Sequence, residues 1–251
     1  MAGLVIDDDN FQNFLAPPLG FSKGMESGFG DRNGGLRGFE ALGIDLLPED
    51  SWDDIIRDNQ RNKSDLQTFL TEMNIPCKDQ NGTNFCWYNA PTHCAEVERA
   101  KSTGVYKSMS PASGASRIKN FRNQGGWGLE AVEWMTQYGT NYSDDWPDNA
   151  IKKSYNTDEN QMLAKKNRVV EFIRLDTWEE QVSCMLANIP TADGYNWWGH
   201  LVTGVGLTIG SHNRIIRNSW AMSWGDNGFG ELSGHKKYSD GSVAILSMEP
   251  M

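Results

Sequence analysis

The chain lacks the features that carry a polypeptide to a membrane or to nucleic acid. None of its 251 residues lies in an apolar run approaching the ~18–20 residues that span a bilayer. Basic side chains are the minority, 23 Lys plus Arg against 33 Asp plus Glu, and they never cluster. At a net charge of −10 there is no electrostatic footprint for phosphate backbones or anionic lipid. The first ten residues hold Asp7, Asp8 and Asp9 and no Lys or Arg, the wrong start for a secretory signal. The expectation is an intracellular, reducing location, or a virus particle assembled in the cell, with no membrane or nucleic-acid partner.

Cysteine is scarce as well. Cys77, Cys86, Cys94 and Cys184 are too few and too dispersed to staple a disulfide framework in a chain this long. Their spacing misses the zinc-binding patterns, so even the best metal set, Cys77, His93 and Cys94, is not favoured, and no metal or cofactor is expected. The four are read as mostly structural thiols, one of which could be reactive.

Aromatic residues are abundant: 10 Trp, 7 Tyr and 10 Phe in a chain that is 38% hydrophobic, which excludes wholesale disorder. Residues 1–46 stand apart, with nine of the 26 glycines, Pro17, Pro18 and five phenylalanines (Phe11, Phe14, Phe21, Phe29, Phe39). A segment of this kind reads as an arm docking on the chain's own body or on a protein partner, or equally as an irregular surface wrap. Beyond it, helices are predicted after Ser64, over Trp87–Ala100, over Gly128–Tyr138, and from an apparent capping box at Asp176-Thr177-Trp178-Glu179 to about Asn188. Strands are predicted over 168–175, 201–209, 214–220, 228–232 and 242–247, with a hairpin turn at Gly210-Ser211-His212-Asn213. Helices first and strands second indicate an α+β fold of two lobes: 47–155 helical, 156–251 a small antiparallel barrel.

Four segments carry chemistry: Gln80-Asn81-Gly82-Thr83-Asn84-Phe85-Cys86-Trp87; Asn123-Gln124-Gly125-Gly126-Trp127; His200 at the head of Leu201-Val202-Thr203-Gly204; and Asn218-Ser219-Trp220-Ala221-Met222-Ser223-Trp224-Gly225. In this order they resemble the papain/cathepsin family of cysteine proteases, whose two-lobe fold the resemblance implies from about Leu47 onward. The residues make sense on their own. A thiol is mostly protonated at neutral pH, and Cys86 at a helix N-terminus, beside an imidazolium, could be held as thiolate. Among four histidines, His93 sits two turns along the same helix, His212 in a turn and His235 next to Lys236 and Lys237; His200 begins a strand whose neighbour contains Asn218. Cys86, His200 and Asn218 are therefore the expected catalytic group.

The resemblance adds Gln80 as a donor to the oxyanion alongside the Cys86 N–H, and Trp220 as cover for the His200–Asn218 hydrogen bond. It also implies that Gly125 and Gly126 bind an extended substrate backbone, and that Trp127, Leu201 and Met185 line an apolar pocket for the residue two before the scissile bond. Thr83 and Asn123 stand where secreted relatives have a bridging cysteine pair, in keeping with a reducing compartment. Phe85 replaces a small residue. The arm is shorter than the family's inhibitory propeptide, so removal of such a propeptide is not expected. The function expected is thiol-dependent hydrolysis of polypeptides; the alternative is a docking or structural protein on the same fold, held in an assembly such as a virion by residues 1–46.

Overall fold

Local signals decide where the helices begin. In the structure, a computed structural model that describes residues 3–15, 39 and 45–250, α1 (Glu49–Asn62) starts with Glu49 and Asp50 against the free N–H groups of its first turn. Lys63 ends it in the left-handed region, at φ 53°. Asp65 caps α2 (Leu66–Glu72) by accepting the Thr68 N–H at 2.9 Å. Then come α3 (Cys86–Thr103), α4 (Pro111–Ile118), α5 (Gly128–Tyr138), α6 (Asp158–Lys165) and α7 (Trp178–Leu186). The capping box of α7 is real but lies one residue later than predicted: Thr177 accepts from Glu180 N–H, and Glu180 reaches back to Thr177 N–H at 3.0 Å. Asp176 contributes no cap. Threonine holds the position and Glu180 closes the reciprocal pair.

Seven strands form one sheet: β1 (Val5–Ile6), β2 (Val169–Leu175), β3 (Thr191–Tyr195), β4 (His200–Leu207), β5 (Arg214–Arg217), β6 (Phe229–Leu232) and β7 (Gly241–Met248), in the order β1-β6-β5-β4-β3-β7-β2. All pairings are antiparallel except β1 with β6. The expected barrel is not closed among the described residues. Its edges, β1 and β2, do not pair, and the two-residue β1 is spent on the rim of β6.

Helix α3 lies against β4 and β7 on one side and α4 and α5 on the other. Every residue from Cys86 to Ala100 is buried, which is why this helix shows no clean apolar stripe. Tyr88 fits because Gly114 leaves room for its ring: a Cβ there would sit 1.9 Å from the phenol oxygen. The hydroxyl itself meets Thr140 Oγ1 at 3.0 Å.

Residues 3–15 dock on the sheet. Glu231 N–H donates to Leu4 C=O at 2.8 Å and Ser233 N–H to Ile6 C=O at 2.9 Å, and Ile6 is buried with Tyr195, Trp198, Val202, Ile216 and Leu232. Phe39 packs on Ile173, Leu175, Cys184 and Ala244. Apart from Asp45 and Leu46, the other residues of the proposed arm, Phe21 and Phe29 among them, lie outside the described residues.

The interior strand β3 escaped the sequence reading because Asp193 and Gly194 have poor strand propensity. Tertiary pairing overrides that preference. Asp193 and Arg214, both wholly buried, meet at 2.5 Å, and Ser242 Oγ (2.6 Å) and Thr191 Oγ1 (2.9 Å) donate to the same carboxylate. Removing one partner strands a buried charge, so Asp193→Ala is expected to lower unfolding free energy by about 3–5 kcal/mol, read from chemical denaturation. A loss below about 1 kcal/mol would show that the strand does not need the pair.

Candidate active site

Cys86 is the first residue of α3, and the loop before it is bolted to the segment that carries Asn218. Asp79 bridges Trp220, and Gln80 N–H donates to Ser219 C=O at 2.9 Å. The Gln80 side chain closes the joint: Oε1 accepts from Ser219 Oγ at 2.7 Å, while Nε2 donates to Thr83 C=O at 2.8 Å. Gln80 thereby spends one amide hydrogen on its own loop and keeps a second.

His200 opens β4, and β4 pairs with β5 so that Thr203 faces Arg217, the residue before Asn218. His200 Nε2 donates to Asn218 Oδ1 at 2.7 Å, and Ser219 N–H donates to the same oxygen at 2.8 Å. Two donors on one atom fix the amide orientation, so Nε2 is the donor to Asn218 and Nδ1 is the ring's other nitrogen. Trp220 stacks on the imidazole at 4.7 Å and Trp198 meets it edge-on at 4.9 Å.

Cys86 is fully buried, in one packed cluster with Leu201, the residue after His200. Burial pushes the thiol up to about 12; the backbone groups at Leu201, Trp87 and Cys86 itself pull against it without prevailing. Desolvation thus opposes the charged form of Cys86 more strongly than the backbone groups at the helix N-terminus favour it, which the expectation of a resting thiolate had left out.

The other candidates have structural lives. His93 is buried and pushed down to about 3, first by burial and then by Arg217 and Lys78. His212 binds Asp53 at 3.1 Å and the exposed His235 binds Asp8 at 3.1 Å. Cys77 spends its thiol on Asn218 C=O at 2.9 Å. No group of three or more candidate metal ligands occurs among the described residues.

Trp87 ties the double glycine to α3. Its indole donates to Gln124 C=O at 3.2 Å, and its ring occupies the space above Gly126, where a Cβ would lie 2.6 Å away. Glycine is required there by the protein's own tryptophan. Leu201 shares a cluster with Cys86 and Trp87, and Trp127 packs against it. Phe85 is buried in the same cluster, edge-on to Trp87 at 6.4 Å. Met185 does not join them: it packs with Trp52, Ile56, Val182, Leu186 and Leu207 between α1 and α7. An apolar helix position carried no information about which core it fills.

Sequence reasoning missed two neighbours. Ser219 was visible only as part of a motif, and Trp198 only as one of two tryptophans just before His200. Asn123 gains a role too: its Oδ1 accepts Asn84 N–H at 2.6 Å, its C=O accepts Asn84 Nδ2 at 3.2 Å, and its Nδ2 donates to Gly82 C=O at 3.2 Å. These bonds join the two loops that the absent cysteine pair would have linked.

No protein-family model matches the sequence, and no curated protein matches it significantly. Solved structures do resemble it. Xylellain, a cysteine protease from Xylella fastidiosa, superposes with a TM-score of 0.61 at 16% identity, over 90% of this chain and 98% of that one. Procathepsin L 3 of Tenebrio molitor larval midgut gives 0.57 at 18% identity, over 68% of this chain, which spans 66% of its length, just under two thirds. The proform of the ragweed pollen cysteine protease Amb a 11 gives 0.56 at 18%, over 68% and 63%. The fold is that of the papain-like cysteine proteases.

Asn123→Ala removes two side-chain bonds at an exposed joint and is expected to reduce stability by about 1 kcal/mol, seen as a lower melting temperature. An unchanged melting temperature would mean that the loops hold without it. Because burial opposes the charged form of Cys86, its alkylation by iodoacetamide is expected to rise about tenfold per pH unit from pH 5 to 8. A flat rate across that range would reveal a thiolate.

Proposed function

We propose that the chain is a thiol-dependent endopeptidase that cleaves polypeptides through an acyl-enzyme. The observation that supports it most is the 2.7 Å hydrogen bond from His200 Nε2 to Asn218 Oδ1, with Leu201, the residue after His200, packed in one cluster with Cys86. As the sulfur bonds to the substrate carbonyl carbon, His200 Nδ1 takes the thiol proton, and the carbonyl oxygen becomes an oxyanion facing the Cys86 N–H and the second Gln80 amide hydrogen. The imidazolium gives its proton to the leaving amine as the C–N bond breaks. Water, deprotonated by the same ring, then hydrolyses the thioester. Asn218 holds the tautomer throughout, and Trp220 keeps water from its hydrogen bond.

Because burial opposes the charged form of the Cys86 sulfur, the charge separation falls inside the reaction, where the protein's dipoles serve it. Gly125 and Gly126 present the backbone that pairs with extended substrate, and Leu201 and Trp127 form an apolar seat for the residue two before the scissile bond. Met185 has no part in that seat. The reading of an assembly component gains no support from the structural neighbours.

An irreversible epoxide directed at thiol proteases is expected to label Cys86 stoichiometrically, with mass spectrometry locating the adduct. His200→Ala is expected to slow both labelling and peptide hydrolysis by ~10²–10⁴-fold, the range for a positioned general base. Slow labelling spread over all four cysteines, or hydrolysis indifferent to His200, would remove the proposal.

A further inference from the structure

The wall behind His200 is made by the N-terminal segment. Trp198, almost wholly buried, touches the imidazole edge-on at 4.9 Å and Trp220 at 5.5 Å, and lies flat on Trp197 at 5.1 Å with 7° between the planes. Its one polar atom, Nε1, donates to Phe14 C=O at 2.9 Å. The segment that supplies this carbonyl is fastened along its length. β1 pairs with β6; Asp8 accepts from His235 N–H at 2.9 Å; Phe11 meets Trp197 edge-on at 5.6 Å; and Lys236 Nζ stands 3.6 Å over the Phe11 ring.

We infer that Trp198 is a positioning residue for His200 and that residues 3–15 form a strap that holds Trp198 in register. The hydrogen bond to Asn218 sets the ring's tautomer and one direction. Trp220 covers a face and Trp198 blocks an edge. Together they restrict the angle at which Nδ1 presents itself to Cys86. The 2.9 Å bond to Phe14 makes the indole's own orientation depend on a chain segment nearly two hundred residues away. An N-terminal segment used in this way supports the site from behind.

The inference rests on the endopeptidase reading for its kinetic arm only; the spectroscopic arm stands without it. Full-length Trp198→Phe keeps an aromatic edge and loses the N–H, Trp198→Leu loses both, and Phe11→Ala undoes the contacts to Trp197 and Lys236. All three are expected to shift the His200 Nε2 proton resonance in NMR spectra, Trp198→Leu the most. In peptide hydrolysis they are expected to lower kcat by about tenfold while KM stays within about twofold, the pattern of lost alignment without lost substrate binding. Phe11→Ala added to Trp198→Phe is expected to cause little further loss, because both act through one indole. Circular dichroism identifies any variant that does not fold; a folded Trp198→Phe or Phe11→Ala protein decides the matter. An unshifted imidazole resonance in folded Trp198→Phe and Phe11→Ala overturns the inference whatever the activity, as does fully additive loss in the double variant. A protein inactive towards peptides whose imidazole resonance still shifts would remove the endopeptidase reading and leave the strap in place.

Discussion

The hydrogen bond from His200 to Asn218 is the contact on which the rest of the site is assembled. His200 begins β4 and Asn218 follows β5, so the hairpin between them sets their separation through backbone pairing alone. Asn218 Oδ1 then collects two donors, and Ser219 beside it reaches Gln80, six residues before Cys86. One short stretch thereby fixes both the imidazole and the loop before Cys86. The geometry of the candidate site is built on the sheet and carried to α3 through side-chain amides. This explains how the helical part can place a cysteine against the sheet with no covalent tie across the loops.

The sulfur's environment is the second constraint. A helix N-terminus stabilises an anion by about 0.3–1 kcal/mol at the surface, up to ~2 kcal/mol when partly buried. Complete burial opposes it more strongly, and the thiol is pushed up to about 12. The same desolvation drives His93 down to about 3 and Cys77 up to about 11, so the whole interior around α3 rejects charge that lacks a close partner. Where charge is kept, as at Asp193 and Arg214, it is paired and doubly hydrogen-bonded. A thiolate at Cys86 would likewise need a close partner to offset its burial.

Most of the site was legible because its residues come in short strings with fixed offsets. Asn218-Ser219-Trp220 lie on one turn after a strand, and Cys86-Trp87 open a helix, so local order alone suggests their neighbours. The ends of α5 were likewise readable, and the capping box of α7 to within one residue, whereas α3 runs to Thr103, three residues past the expected Ala100. What could not be read was decided by packing between distant segments. β3 forms with Asp and Gly in it because Arg214 supplies the charge that its propensity lacks. Met185 looked equivalent to Leu201 as an apolar residue near the motifs, yet α7 turns it toward α1. The thiol's protonation state depends on burial, which no spacing reveals. Barrel closure depended on edges that the strand pattern does not specify.

Two substitutions of one kind of bond for another connect these observations. Where a disulfide would join the loop before Cys86 to the loop before the double glycine, the Asn123 side chain bonds both Gly82 and Asn84. At the other end of the site, a backbone carbonyl from the N-terminal segment holds the indole that touches His200. Both ties are polar, reversible and short. A disulfide restrains a loop in every state of the chain, folded or not; a hydrogen bond restrains it only when the flanking surfaces are already docked. In a chain whose described thiols are all free, alignment of Cys86 with His200 is therefore a property of the completed fold, gained only when the N-terminal segment, the sheet and α3 have come together. The aromatic residues that cluster around His200 supply the buried area that makes such docking cooperative, which is why this tryptophan-rich sequence can dispense with the covalent bridge.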